Sequence, residues 1–428
     1  MRKFILTLLT VCVAYTVAAQ SVRDEFEKNI RLSGSNLLAY PAPLQDALTP
    51  APDSIHPFYI SHYGRHGSRY LIGKDEYSAP YKTLFTADSL GKLTYFGRDV
   101  LRRLDYLRKE SAGRLGELTK LGAEQHRQIA KRMYERFPEV FDGRANIDAK
   151  STIVIRCILS MENELQQMLR RNPELNITHD ASEHDMYYMN LTDTALVNKR
   201  MPKKSKDIYE AYCKKYVKYD HVMQQLFNDT AYVNHNVNAR KLNDQLFKLA
   251  SCVQNCESRY KVTLYDLFTD DEIYANWKKN NLGWYLSYGA CPFNGGTQPY
   301  SQRNLLRKII EEADSCIALP KPGATLRFGH ETMVLPLTCL LGINGYDQQI
   351  DNVEQLEKKG WIDYKVFPMG ANIQFIFYRK NPQDKDVLVK VLLNEKEAKL
   401  PVKTNVAPFY HWNDFRNYYL KKLDAYKN

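Results

Sequence analysis

The chain has 428 residues, 44% of them hydrophobic and 12% aromatic, and carries a formal net charge of +11. That apolar content excludes a disordered chain and is enough for one large domain or two ordinary ones. The positive charge favours anionic ligands, whether phosphate esters, nucleic acid or acidic membranes, and does not choose among them.

Met1-Arg2-Lys3, the apolar run Phe4 to Val17 and the small residues Ala18-Ala19 ahead of Gln20 have the layout of a secretory signal peptide. The run is too short to span a bilayer, and no later stretch reaches the roughly 18 apolar residues a span needs. Residues 1–19 are therefore expected to be removed and the mature protein to be exported to the periplasm, an outer-membrane vesicle or the medium. Cys12 follows Leu9-Thr10-Val11, a poor lipidation context. Its loss leaves seven of the eight cysteines, which in an oxidising compartment predicts up to three disulfides and one spare thiol. Cys252 and Cys256 are near enough in sequence for a local bridge.

Three segments then share one layout of apolar strand, basic residue and helix start. Phe58 to Tyr63 leads into the loop Arg65-His66-Gly67-Ser68-Arg69. Guanidinium donors on both sides of an imidazole suit a phosphate, and their charge keeps the histidine neutral and nucleophilic. Thr152-Ile153-Val154-Ile155 ends in Arg156, and Ile158, Met161, Leu165 and Met168 follow at helical spacing. Thr325 to Gly329 ends in His330, with Glu331 opening the next helix. If these strands share one sheet, their carboxyl ends bring Arg65, His66, Arg69, Arg156 and His330 together beside helix N-termini that attract anions.

Between the first two segments, a helix is expected from about Leu118-Thr119-Lys120-Leu121-Gly122, with Ile129, Met133 and Phe137 on its core face and His126 as a structural histidine. From Asn172 to Arg303 tyrosines and lysines become dense and helical patterns dominate, whereas strands return with Thr325–Gly329, Asn372–Tyr378 and Val387–Leu393. The expected fold class is α/β: a discontinuous domain, 20–171 and 304–428, with a central, mostly parallel sheet flanked by helices, and an inserted, mainly helical cap over 172–303. Lys199, Arg200, Lys203 and Lys204 in this cap are candidates for binding additional phosphates, against the alternative of a solvated basic face. No Cys-x-x-Cys pair or His-Glu-x-x-His helix is present, so no metal and no cofactor are expected.

Arg65-His66-Gly67-Ser68-Arg69, Arg156-Cys157-x-x-Ser160 and Phe328-Gly329-His330-Glu331-Thr332 resemble, in order and spacing, the histidine acid phosphatases. That group includes phytases and multiple inositol polyphosphate phosphatase. Leu118 to Gly122, Leu264 to Glu272, Tyr285 and Gly289 extend the resemblance over most of the mature chain, and Arg156-Cys157 points to the inositol-polyphosphate branch. The resemblance implies that His66 attacks phosphorus to give a phosphohistidine, that Arg65, Arg69, Arg156 and His330 hold the phosphate oxygens, and that Glu331 is the proton donor and later the base. One departure stands out. Phytases of the family carry His-Asp at the third motif and the inositol-polyphosphate branch His-Ala-Glu, whereas here the acid is Glu331, followed by Thr332.

The resemblance thus implies a monomeric, exported phosphomonoesterase acting on inositol polyphosphates, with no nucleic-acid partner. The alternatives are a broad-specificity acid or sugar-phosphate phosphatase, a phosphotransferase, and, remotely, a non-catalytic anion-binding protein.

Overall fold

The computed structural model describes residues 21–41 and 47–427; the amino-terminal stretch read as an export signal lies outside them. Eight strands make one mixed sheet: β1 (His56–Arg65), β2 (Asn146–Ser151), β3 (Asn176–Asp180), β4 (Gly323–Gly329), β5 (Asn372–Arg379), β6 (Leu388–Leu393), β7 (Lys396–Glu397) and β8 (Phe409–His411). Their order is β3-β2-β4-β1-β5-β6-β7, with β8 beside β6. The four strands β3, β2, β4 and β1 are mutually parallel; from β5 onward the pairing is antiparallel.

Strands β4, β5 and β6 are buried along their whole length, as expected where helices cover both faces of a sheet. Helices Lys120–Arg136 and Ile155–Arg171 place Met133, Met161, Leu165 and Met168 against Ile60, Ile147, Leu326 and Phe328 on one face. On the other, Leu305 and Ile309 of helix Arg303–Ile317, Val334 and Leu337 of helix Glu331–Leu341, and Phe415 of helix Trp412–Asp424 pack on Phe375, Phe377, Val389 and Val391.

Two expectations need correcting. Thr152-Ile153-Val154-Ile155 is not a strand: β2 lies just before it, and the helix already starts at Ile155. In β2 only Ile147, Ala149 and Ser151 are buried, so it reads as a polar stretch, whereas Ile153 and Ile155, which look strand-like, are exposed. The sheet also runs past residue 171, because β3 pairs with β2 inside the segment expected to be cap. From there to β4 the chain is helical, and a third core joins Leu246, Phe247 and Trp277 of this region to Val22, Phe26, Leu84, Val100 and Leu104. The helical layer therefore also draws on segments that precede β2.

All seven cysteines among the described residues are free thiols, six of them buried, so the expected disulfide framework is not formed here. Among the described residues no helix is long and apolar enough to cross a membrane.

Candidate active site

The site stands at the carboxyl ends of β1, β2 and β4. Arg65 ends β1 in register with Gly329, the end of β4. The loop that follows is held by backbone bonds on both sides: His66 N–H donates to Gly329 O at 2.9 Å, and Gly370 N–H donates to His66 O at 2.9 Å. Gly67 N–H donates to Ser160 Oγ at 3.1 Å. Gly67 also lies so near the helix Lys120–Arg136 that an added Cβ would come within 2.4 Å of Gly122 O. Thr119, which caps that helix, donates to Ser68 O through both its amide and its hydroxyl, at 2.9 and 3.1 Å. Gln125 accepts from Ser68 N–H at 2.9 Å.

His66 is fully buried. Its Nδ1 lies 2.9 Å from Gly67 O, and a carbonyl only accepts, so Nδ1 carries the hydrogen and Nε2 keeps a free lone pair. Among the described residues Nε2 has no hydrogen-bond partner, and it faces Glu331 Oε2 at 3.8 Å. Burial, and then the charges of Arg65, Arg69, Arg156 and His330, hold its pKa well below the ordinary value of 6.5.

The charges of Arg65, Arg69 and Arg156 all act on this imidazole, two from its own loop and one from the first turn of the helix Ile155–Arg171. Arg65 is anchored by Nη1 to Asn36 O and Phe367 O, both at 2.7 Å, and Arg69 by Nη1 to Tyr70 O at 2.9 Å. Arg65 Nη2, Arg69 Nε and Arg156 Nε are buried donors with no partner. Unpaired buried donors on three guanidinium groups whose charges act on one imidazole suit an anion.

His330 caps the helix Glu331–Leu341, and its ring lies 5.7 Å from that of His66. Its Nε2 is 3.3 Å from Thr152 Oγ1, and the Cys157 thiol packs 3.8 to 3.9 Å from both ring nitrogens. Burial, opposed by Glu331 and aided by Arg156, Arg65 and Arg69, lowers its pKa to about 4. Glu331 begins the helix, with Oε2 3.1 Å from Arg65 Nε and Oε1 accepting from Asn36 Nδ2 at 3.3 Å. Burial would raise this carboxyl, but Arg65, Arg69 and His330 outweigh it and hold it at about 2.

His66, His330 and Glu331 present donor atoms within 4.8 Å of one another, a spacing a divalent cation could bridge. The charges of Arg65, Arg69 and Arg156 at the same point oppose a cation and suit a phosphate.

The cap candidates divide. Lys199 is exposed, Lys203 is exposed and paired with Asp207, and Lys204 is exposed with Nζ 4.7 Å from the Phe293 ring. Arg200 is half-buried and donates to Tyr288 Oη at 3.1 Å. Tyr288 packs on Trp284 and Trp284 on Phe367, whose carbonyl accepts from Arg65, so a chain of aromatic contacts runs between Arg200 and Arg65. Asp270, Asp271 and Glu272 form the first turn of helix Asp270–Tyr288, with a capping box to Thr269, as a helix start predicts. His126 is a structural histidine, its Nδ1 2.7 Å from Glu164.

Sequence reasoning missed Asn36 and Thr152. Neither lies in a motif: Asn36 reaches the site from a segment before β1, and Thr152 stands in a stretch that reads as strand.

The model of the histidine phosphatase superfamily (branch 2) matches residues 64–394. No curated protein sequence matches the chain. In structure it is similar to the Bifidobacterium longum multiple inositol polyphosphate phosphatase in complex with inositol hexasulfate, with a TM-score of 0.71, 18% identity, and 89% of this chain and 96% of that chain covered. It is also similar to the phytase from D. castellii, with a TM-score of 0.65, 17% identity and coverage of 98% and 91%. Against the Hafnia alvei phytase in complex with myo-inositol hexakis sulphate the values are 0.53, 12%, and 87% and 98%. At such identities these likenesses speak to the fold. The family match starts one residue before Arg65 and runs past Glu331 to Asn394, taking in the His66 loop, the helix arginine and the His330-Glu331 turn: the chain belongs to branch 2 of the histidine phosphatase superfamily.

Proposed function

We propose that this phosphomonoesterase hydrolyses inositol polyphosphates, phytate among them, through a covalent phosphohistidine at His66. The observation that carries the reading is the buried His66 Nε2, without a hydrogen-bond partner among the described residues, together with unpaired buried donors on Arg65, Arg69 and Arg156, whose charges act on it. Nε2 attacks phosphorus as the ester oxygen leaves on the opposite side. Arg65, Arg69, Arg156 and His330 hold the three non-bridging oxygens and offset the charge that develops on them. Thr152 Oγ–H, donating to His330 Nε2, would leave Nδ1–H to point at the phosphate.

Glu331 is ionised in the free enzyme, so the proton it gives to the leaving oxygen must arrive with the substrate. A phosphate monoester carries its second proton up to a pKa of about 6. The monoanion would enter, pass its proton to Glu331, and be cleaved as Glu331 returns that proton to the departing alkoxide. The carboxylate then takes a proton from the water that attacks the phosphoenzyme.

The substrate class rests on one cation of the helical region and on a structural likeness. Arg200 beside Tyr288 offers a further cation to a second phosphate, and the structurally similar Bifidobacterium enzyme is a multiple inositol polyphosphate phosphatase complexed with an inositol hexasulfate. We further read the protein as a monomer exported through residues 1–19, with residues 172–303 supplying most of the cap. A time course of inositol hexakisphosphate breakdown, resolving positional isomers, tests the reading in wild type, His66→Ala and Glu331→Gln. Stepwise loss of phosphate in the presence of a chelator is expected, with His66→Ala inactive. Equal kcat/KM on the hexakisphosphate and on a simple monophosphate ester would favour a broad-specificity acid phosphatase instead.

A further inference from the structure

We propose that Asn36 is a positioning residue for the catalytic carboxylate: its side-chain amide holds Glu331 Oε1 so that Oε2 is the oxygen presented to the reacting phosphate. The inference rests on the reading of Glu331 as proton donor. The two oxygens of Glu331 are not equivalent. Oε1 accepts from Asn36 Nδ2 at 3.3 Å, whereas Oε2 faces His66 Nε2 at 3.8 Å and Arg65 Nε at 3.1 Å. The Arg65 contact is a close ion pair without hydrogen-bond alignment, so it attracts the carboxylate without fixing its rotation. Asn36 supplies the directional contact. Only the NH₂ end of its amide can donate to an ionised carboxylate, which sets the amide's orientation.

The same residue holds the arginine. Asn36 O accepts from Arg65 Nη1 at 2.7 Å, so its main chain grips one member of the Arg65–Glu331 pair and its side chain the other. The segment bearing it is built to stay in place. Ser35 is buried at φ 54° and ψ −125°, a conformation that a residue other than glycine keeps only when its surroundings impose it. Its hydroxyl is bonded to Asp363, which in turn accepts from Trp277 Nε1 at 2.9 Å. Gln254 donates to Arg31 O at 3.2 Å and accepts from Ala39 N–H at 3.1 Å, and Asn255 donates to Leu37 O at 2.7 Å. A strap ordered from both ends thus delivers one amide to one carboxylate oxygen.

A residue that orients a general acid matters in proportion to how badly the leaving group needs a proton. The test compares the single-turnover rate of phosphoenzyme formation from inositol hexakisphosphate, which expels an alkoxide, and from 4-nitrophenyl phosphate, whose phenolate leaves unaided. Asn36→Ala keeps the main-chain grip on Arg65 and removes only the amide; isosteric Asn36→Asp removes the donor without changing shape. Both are expected to lose about tenfold or more on the inositol substrate and less than about twofold on the aryl ester, with Tm close to wild type. Equal losses on the two substrates, or no loss on either, would overturn the positioning role while leaving the proposed function standing. A wild type that forms no phosphoenzyme, or a His66→Ala variant that still turns over, would bring down both.

Discussion

At the scale of single residues, the site holds His66 neutral and Glu331 ionised by environment alone. His66 is held neutral by burial and by Arg65, Arg69 and Arg156, so no acid limb from its protonation is expected in kcat/KM near pH 6.5. Because Glu331 sits at about 2 and must borrow the substrate's proton, kcat/KM should instead fall as pH rises above about 6, where the ester loses that proton. A flat profile from pH 5 to 8 would contradict this. Glu331→Gln is expected to cut kcat on inositol hexakisphosphate by about 10²- to 10⁴-fold. Arg69→Ala, which removes one oxygen clamp, should cost about 10²- to 10³-fold in kcat, measured at saturating substrate. His66, Arg65, Arg69, Arg156, His330 and Glu331 were all readable in advance, because each lies inside a short motif whose chemistry is carried by residue type. Asn36 was not: its contact with Glu331 spans 295 positions of sequence, and an asparagine in an unpatterned segment has no signature.

At the scale of elements, the site depends on a loop pressed against a helix start. The helix Lys120–Arg136 begins with the Thr119 cap, and a Cβ on Gly122 would meet Ser68 O at 2.3 Å. Gly122→Ala must therefore push back the loop that carries His66. It should lower stability by about 1–3 kcal/mol by denaturant titration and reduce kcat well beyond what that loss explains. Thr119→Ala removes both the cap, at about 1 kcal/mol, and the hydroxyl's bond to Ser68 O, so it too should lower kcat. If both variants lost stability but kept full kcat, the loop would not be tuned by this contact. The helix itself is plain in the sequence from its cap and its apolar repeat. Strand β2 is hidden, because Asn146-Ile-Asp-Ala-Lys-Ser buries only alternate small or aliphatic side chains and shows neither a long apolar run nor β-branched density.

At the scale of the whole molecule, buried titratable groups set the acid limit of the fold. Burial, then His126 and Arg327, lowers His62 to about 3, and His330 lies at about 4; in the unfolded chain both return to about 6.5. Between pH 6.5 and 4 the unfolded chain therefore binds protons that the folded one refuses, and stability falls as pH falls. Glu331 adds to the loss below its ordinary value of 4.5. Asp363, raised by burial to about 6, acts in the opposite sense between 6 and 3.8, as does Glu164, also raised by burial, but they are outnumbered by the histidines and ion-paired carboxylates that act the other way. Tm should decline steadily from pH 6.5 to 4, and His62→Leu should flatten the slope. A Tm independent of pH in that window would refute the assignment.

The sequence alone determined the reaction class, the motif residues that make up the candidate site and the α/β architecture, because motif chemistry and hydrophobic periodicity are local and survive without coordinates. Tertiary structure decided what depends on contacts between distant segments: which imidazole nitrogen is free, how far the sheet extends, which cap cation is half-buried against an aromatic side chain, and which amide bonds to Glu331. Those are properties of packing, and no residue type or spacing encodes them until the chain has closed on itself.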